Sequence, residues 1–106
     1  MPHAIRIHKH GGPEVLKYEE VPEAKPKAGE VRIRQTAIGL NFIDTYQRSG
    51  LYPMSMPFTA GSEAAGVVEA VGKRVKGLKV GDRVAYGGSA LGLGAYAERR
   101  ILKPDW

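Results

Sequence analysis

The sequence contains no cysteine. That absence excludes disulfides and thiolate metal ligands, and it fits a reducing, cytoplasmic setting. Long apolar runs are missing too. None approaches the roughly 20 residues a membrane-crossing helix needs, so no membrane partner is expected. The N-terminal MPHAIRIHKH has charge but no apolar h-region, so nothing in it marks export. Acidic residues are in deficit, with 11 Asp and Glu against 16 Lys and Arg and a net charge of +5. The basic pairs Arg32/Arg34, Lys73/Arg74, Lys76/Lys79 and Arg99/Arg100 alternate with Val, Ile and Leu rather than with exposed aromatics. This pattern predicts strands with one wet face, or a general attraction to anionic cofactors, and no nucleic-acid partner. There is no internal repeat.

What the chain does have is punctuation. Fourteen glycines and seven prolines cut 106 residues into short pieces. A chain of this length makes one domain, burying roughly 65% of its unfolded surface. AIRIH (4–8) and LKYEEV (16–21) alternate like strands, with GGP (11–13) as the turn between them. PEAKPKAGE (22–30) is a polar loop. In VRIRQTAIGL (31–40), Val31, Ile33 and Gln35 share one face and Arg32, Arg34 and Thr36 the other. SGLYPMSMPFTAG (49–61) is a loop, unusually apolar for an exposed connection. AAGVVEAVG (64–72) reads as a buried strand with Val67, Val68 and Val71 as core candidates. A corner at Gly81-Asp82 leads into a strand Arg83–Tyr86, and GAYAERRIL (94–102) is the last strand. Gly61, Gly66 and Gly72 are expected at close contacts or at positive φ. Short strands with glycine corners and one small helix predict a mainly β fold, a closed or partly open barrel.

The helix is LNFIDTYQRSG (40–50). Asn41 suits an N-cap, Asp44 can return a bond to the Asn41 N–H, and Gly50 ends the element. Capping alone does not explain Tyr46 followed by Tyr52.

HKHGGPEVL (8–16), AIGLNFIDTYQRSGLYP (37–53), GSEAAGVVEAVG (61–72) and VGDRVAY (80–86) together resemble the N-terminal part of NADPH-dependent quinone oxidoreductases. These form the zeta-crystallin-like branch of the medium-chain dehydrogenase/reductase superfamily. The resemblance covers essentially the whole chain. It implies a GroES-like, partly open β-barrel with one or two short helices, supplying the substrate side of a cleft. A separate Rossmann domain would hold NADPH, and the parent enzyme would be a homodimer. The chain is expected to be this one domain over residues 1–106, ending at KPDW before any dinucleotide-binding unit, and a lone domain would self-associate through the exposed docking face. G-L-G-A-Y-A (92–97) matches G-x-G-x-x-A by letter, but ERRILKPDW is too short to be the βαβ continuation such a site needs.

Zinc alcohol dehydrogenases, the sister branch, have a cysteine where this chain has Asn41 and Gly-His-Glu where it has Gly61-Ser62-Glu63. An amide and a hydroxyl are poor zinc ligands, and His8 and His10 have no carboxylate spaced near them, so no metal is expected. Quinones accept hydride readily. What remains is to hold the ring and donate hydrogen bonds to the oxygen that gains charge. The resemblance therefore implies Asn41, Asp44, Tyr46 and Tyr52 as catalytic residues. It also implies Asn41, Phe42, Ile43 and Tyr46 against the cofactor, with Ser62 and Glu63 in the substrate pocket. Two readings stay open beside this one: a zinc-free enone or enoyl reductase on the same scaffold, and a free-standing GroES-like binding module.

Overall fold

A computed structural model describes residues 1–87 and 92–104, so Asp105 and Trp106 of the KPDW terminus lie outside the described residues. Strands β1 (His3–Ile7), β2 (Lys17–Glu20) and β4 (Phe58–Thr59) form a three-stranded sheet in the order β2-β1-β4. Strands β3 (Val31–Ile38), β5 (Ala64–Val71), β6 (Arg83–Tyr86) and β7 (Arg99–Leu102) form a four-stranded sheet in the order β6-β5-β3-β7. The helix α1 (Phe42–Ser49) follows β3. All the strand pairs are antiparallel, and an isolated bridge between Ala4 and Ala97 joins the two sheets. The barrel is partly open, as expected.

The central pair is β3 with β5. Val31 and Ile33 are buried from β3, and Ala64, Gly66 and Val68 from β5. With Leu102 of β7 they enclose an aliphatic core, closed by Val75, Leu78, Val84 and Tyr86. Gly66 is required by closeness: a Cβ there would stand 2.3 Å from the Arg34 carbonyl oxygen and 2.8 Å from Ile33 Cγ2. At Gly72 the same atom would meet the Lys27 carbonyl oxygen at 1.9 Å, because Gly72 N–H donates to Glu30 across that contact.

The expectation of a three-valine core in β5 needs correction. Val68 is fully buried, Val67 half-buried, and Val71 40% exposed. Successive strand residues face opposite sides, so 64, 66 and 68 point inward and Val67 outward. Val71, which a register shift sets opposite Val31, is left open because it ends the strand. Two irregularities in the β3–β5 register, at Arg32/Ile33 and Gln35/Ala37, bend this ribbon.

The ends of elements differ from the sequence reading in other places. Strand β4 arises inside the apolar loop, paired with β1. The turn at 11–13 continues into a short 3-10 helix, Pro13–Val15, whose Val15 is buried. The last strand starts at Arg99 rather than at residue 94. Residues 94–96 instead bond sideways: Gly94 and Ala95 N–H donate to the Gly61 carbonyl, and Tyr96 N–H to Ala60. The glycine pattern at 92–97 is thus a loop clamped to another segment, not a strand-to-helix phosphate turn. Gln35 fixes the same loop from the other side, its amide donating to the carbonyls of Ala95 and Ala97 at 2.8 Å each.

No described helix is long and apolar enough to cross a membrane.

Candidate functional site

Helix α1 is held at both ends. At its start, Asp44 Oδ2 accepts from the Asn41 N–H at 3.1 Å, and the Asp44 N–H donates to the Asn41 carbonyl at 3.0 Å. Gly50, at φ 93°, caps the other end. A Cβ at Gly50 would also crowd the His10 ring at 3.0 Å. The last turn is tied to the 10–12 corner: Arg48 Nε donates to the Gly11 carbonyl at 3.1 Å, and Gly11 N–H donates back to Arg48 at 3.0 Å. The helix is thereby fixed in rotation as well as in position.

This places Asn41 at the mouth of an open groove of about 460 Å³. Leu16, Leu40, Phe42, Thr45 and Ala60 supply its walls, with Asp44, Arg48 and Tyr96 as its polar groups. Leu40 and Phe42 are each 81% exposed, so two large apolar side chains stand free at the rim. The Asn41 amide nitrogen donates to Glu63 Oε2 at 3.1 Å, which leaves its second N–H for another acceptor.

Asp44 is buried, and its Oδ2 accepts from the Tyr96 hydroxyl as well as from Asn41. Its other oxygen, Oδ1, is buried without a hydrogen-bond partner. Burial pushes the Tyr96 phenol far above its ordinary range, and the adjacent Asp44 carboxylate pushes it the same way. The hydroxyl therefore stays protonated and donates. Tyr96 was not singled out from the sequence. Its one available signal was its place in the 92–97 glycine segment, and only the tertiary contact with Asp44 gives it meaning. Gly61, at φ 101°, makes room for it: a Cβ there would come 2.5 Å from Tyr96 Cδ1.

The remaining expected site residues divide. Tyr46 and Tyr52 meet edge to face, with ring centroids 5.8 Å apart, and Tyr52 N–H donates to the Tyr46 carbonyl. Both are exposed, but neither lines the Asn41 groove; nor does Ile43. Glu63 lies on a second cleft between Gly39 and Ala85, and its bond to Asn41 links the two hollows. Ser62 is half-buried beside it. Among the described residues, no three of His, Cys, Asp or Glu gather as a metal site. Each histidine has its own neighbour: His3 stacks on Tyr18 and pairs with Glu98, His8 pairs with Glu19, and His10 contacts the Arg48 carbonyl.

A clamped helix beside a partly open barrel, with the Asn41 amide at the mouth of its groove, defines a class. The chain belongs to the alcohol dehydrogenase GroES-like domain family, whose pattern matches residues 27–106. Within it, the expected likeness to quinone oxidoreductases is borne out. The chain is 55% identical over 102 residues to a quinone oxidoreductase of Pseudomonas aeruginosa, covering 95% of this chain and 31% of that protein. It superposes with TM-score 0.90 and 51% identity on the crystal structure of an Escherichia coli quinone oxidoreductase complexed with NADPH, covering 97% and 31% of the two chains. A 2-haloacrylate reductase of a Burkholderia species is 46% identical over 106 residues, covering 96% and 31%. The chain thus spans about a third of the length of these relatives.

Proposed function

We propose that this chain is the substrate-side domain of a zinc-independent, NADPH-dependent quinone oxidoreductase. On this reading the Asn41 groove is the wall against which quinone and nicotinamide meet. The observation that carries it is the exposed Asn41 amide, braced by Glu63 and rooted on the buried Asp44–Tyr96 pair. A neutral donor held this firmly suits an oxygen that gains negative charge, because it need not reorient as the charge develops.

The residues present fit the nicotinamide end of NADPH. Asp44 Oδ1 is a buried acceptor lacking a donor, and Phe42 offers a free aromatic face at the same groove. The diphosphate would be held by a partner domain, since the glycine segment 92–97 is bound to Ala60 and Gly61. Bound NADPH supplies the hydride. In this chain, Asn41 orients the acceptor through its free N–H, with Tyr46 and Tyr52 as further hydroxyl donors at the outer edge. Leu40 and Phe42 shield the ring from water, and Ile43 and Tyr46 support the cofactor side. Ser62 and Glu63 close the substrate pocket. No zinc is required, because an amide and a hydroxyl occupy the two decisive positions.

The test is a chimera in which residues 1–106 replace the matching third of the Pseudomonas aeruginosa enzyme. It should reduce 1,4-benzoquinone with NADPH and hold only substoichiometric zinc, whereas the 106-residue chain alone should show no turnover above background. A folded chimera that consumes no NADPH with any quinone would defeat the proposal. The 46% identity to the haloacrylate reductase favours a second reading, reduction of an electron-poor alkene. The same chimera assayed with 2-chloroacrylate separates the two.

A further inference from the structure

The +5 net charge is not spread evenly, and part of it gathers along one groove. A groove of about 460 Å³ runs between β1, β4 and β7, and it shares no lining residue with the Asn41 groove. Arg6, Arg99 and Arg100 line it, and no acidic residue does. Arg6 is only partly exposed, yet among the described residues it has neither a hydrogen bond nor an ion pair from its side chain. Arg99 spends its Nε on Glu69 Oε1, an oxygen it shares with Arg32, which leaves its terminal nitrogens uncommitted by that contact.

Strand register sharpens the imbalance. Arg6 lies directly opposite Lys17 of β2, and Arg99 directly opposite Arg34 of β3. Directly opposed residues share a face, and like charges placed so destabilise a sheet. Two such pairs flank one groove. On the other side of Arg6 the register places Thr59, a hydroxyl that can donate. Val21, Phe58, Leu93 and Ile101 make the rest of the lining largely apolar.

We propose that this groove binds a small organic carboxylate with an apolar body. Arg6 and Arg99 grip the carboxylate and Phe58 and Ile101 cover the hydrocarbon. Guanidinium forks match the two oxygens of a carboxylate, and the ligand's charge relieves both opposed pairs at once. A purely inorganic oxyanion would use the cations but leave the apolar wall wet, and a neutral hydrocarbon would do the reverse.

The test is a titration of the 106-residue chain followed by NMR amide and arginine Nε shifts, at constant ionic strength in chloride. The three probes are hexanoate, inorganic phosphate and hexanol. Hexanoate should give saturable shifts confined to Arg6, Thr59, Arg99 and Ile101, with phosphate and hexanol each binding at least about tenfold more weakly. Arg6→Gln should weaken hexanoate about tenfold or more while the melting temperature stays level or rises, because the Lys17 opposition is removed. Arg99→Gln gives a second reading of affinity should the first variant not fold. Phosphate binding as tightly as hexanoate, non-saturating shifts over the whole basic surface, or unchanged affinity in either folded variant would each overturn the assignment.

Discussion

The two halves of this small barrel are built on different physics. The four-stranded sheet encloses Val31, Ile33, Val68 and Leu102, side chains without a polar atom. The three-stranded sheet covers Ile7, Val15 and Ala60, with Leu16, Phe58 and Tyr96 packed against them. There the packing extends through Tyr96 to a buried carboxylate and on to a cleft. The four side chains at the centre of the first half are held by apolar burial, which is indifferent to pH and needs only shape. The second contains groups whose charge state matters, and it holds the helix that presents Asn41. Stability is concentrated in one region, and chemistry in the other.

Substitutions can sharpen or break that contrast. Ile33→Ala in the aliphatic half should cost about 3–4 kcal/mol in chemical denaturation, by the same amount at pH 6 and pH 9. Gly66→Ala should cost about 2–3 kcal/mol, because the new methyl meets the Arg34 carbonyl and β3 must move. Its effect should also be independent of pH. In the other half, Tyr96→Phe should cost about 2 kcal/mol at neutral pH by removing a donor from a buried carboxylate.

Tyr96 also sets an alkaline limit. Its folded pKa is raised above the unfolded value of about 10, so the folded state holds the proton more tightly. The stability this gives is complete below pH 10 and lost as pH rises beyond it. The gap between wild type and Tyr96→Phe should therefore narrow above pH 10 in equilibrium unfolding. A gap that stays constant would place Tyr96 with the pH-indifferent core.

The smallest effect concerns the corner before β6. Asp82 accepts from the Lys79 backbone N–H and then from its ammonium, and these contacts hold its carboxyl below the usual range. A lowered folded pKa means stability present above the unfolded value of about 4 and lost as pH falls through the folded one. The melting temperature should fall slightly between pH 5 and pH 3, and by less in Asp82→Asn. An equal fall in both would leave the acid sensitivity to Glu98, whose carboxyl the His3 N–H lowers in the same direction.

Much of the frame could be read in advance, for reasons visible at particular residues. Val31 and Ile33 alternate with arginines, so β3 and its inward face were plain. Asn41, Asp44 and Gly50 sit at the spacing of a helix start and stop, and α1 has those bounds. The three glycines expected at tight places are all at them. Elsewhere the pattern misled or was silent. Val67, Val68 and Val71 look alike as letters, but only register says which faces in. GAYAERRIL alternates from its start, yet its first half is held by carbonyls of Ala60 and Gly61, residues more than thirty positions away. Of the expected site, Asn41, Phe42 and Asp44 come together on one groove, whereas Tyr46, Tyr52 and Ile43 stand outside it.

The chain's own order of residues determined the short-strand architecture, the capped helix, the absence of thiolate ligands and the kinship with quinone oxidoreductases. Each of these depends on neighbours a few positions apart, where backbone geometry sets what a side chain can reach. Tertiary structure alone decided that Tyr96 would anchor Asp44, that Glu63 would brace Asn41, and that Arg6 would face Lys17. Those contacts span 11 to 52 residues. At such separations a contact depends on strand register and sheet packing, which local alternation leaves open.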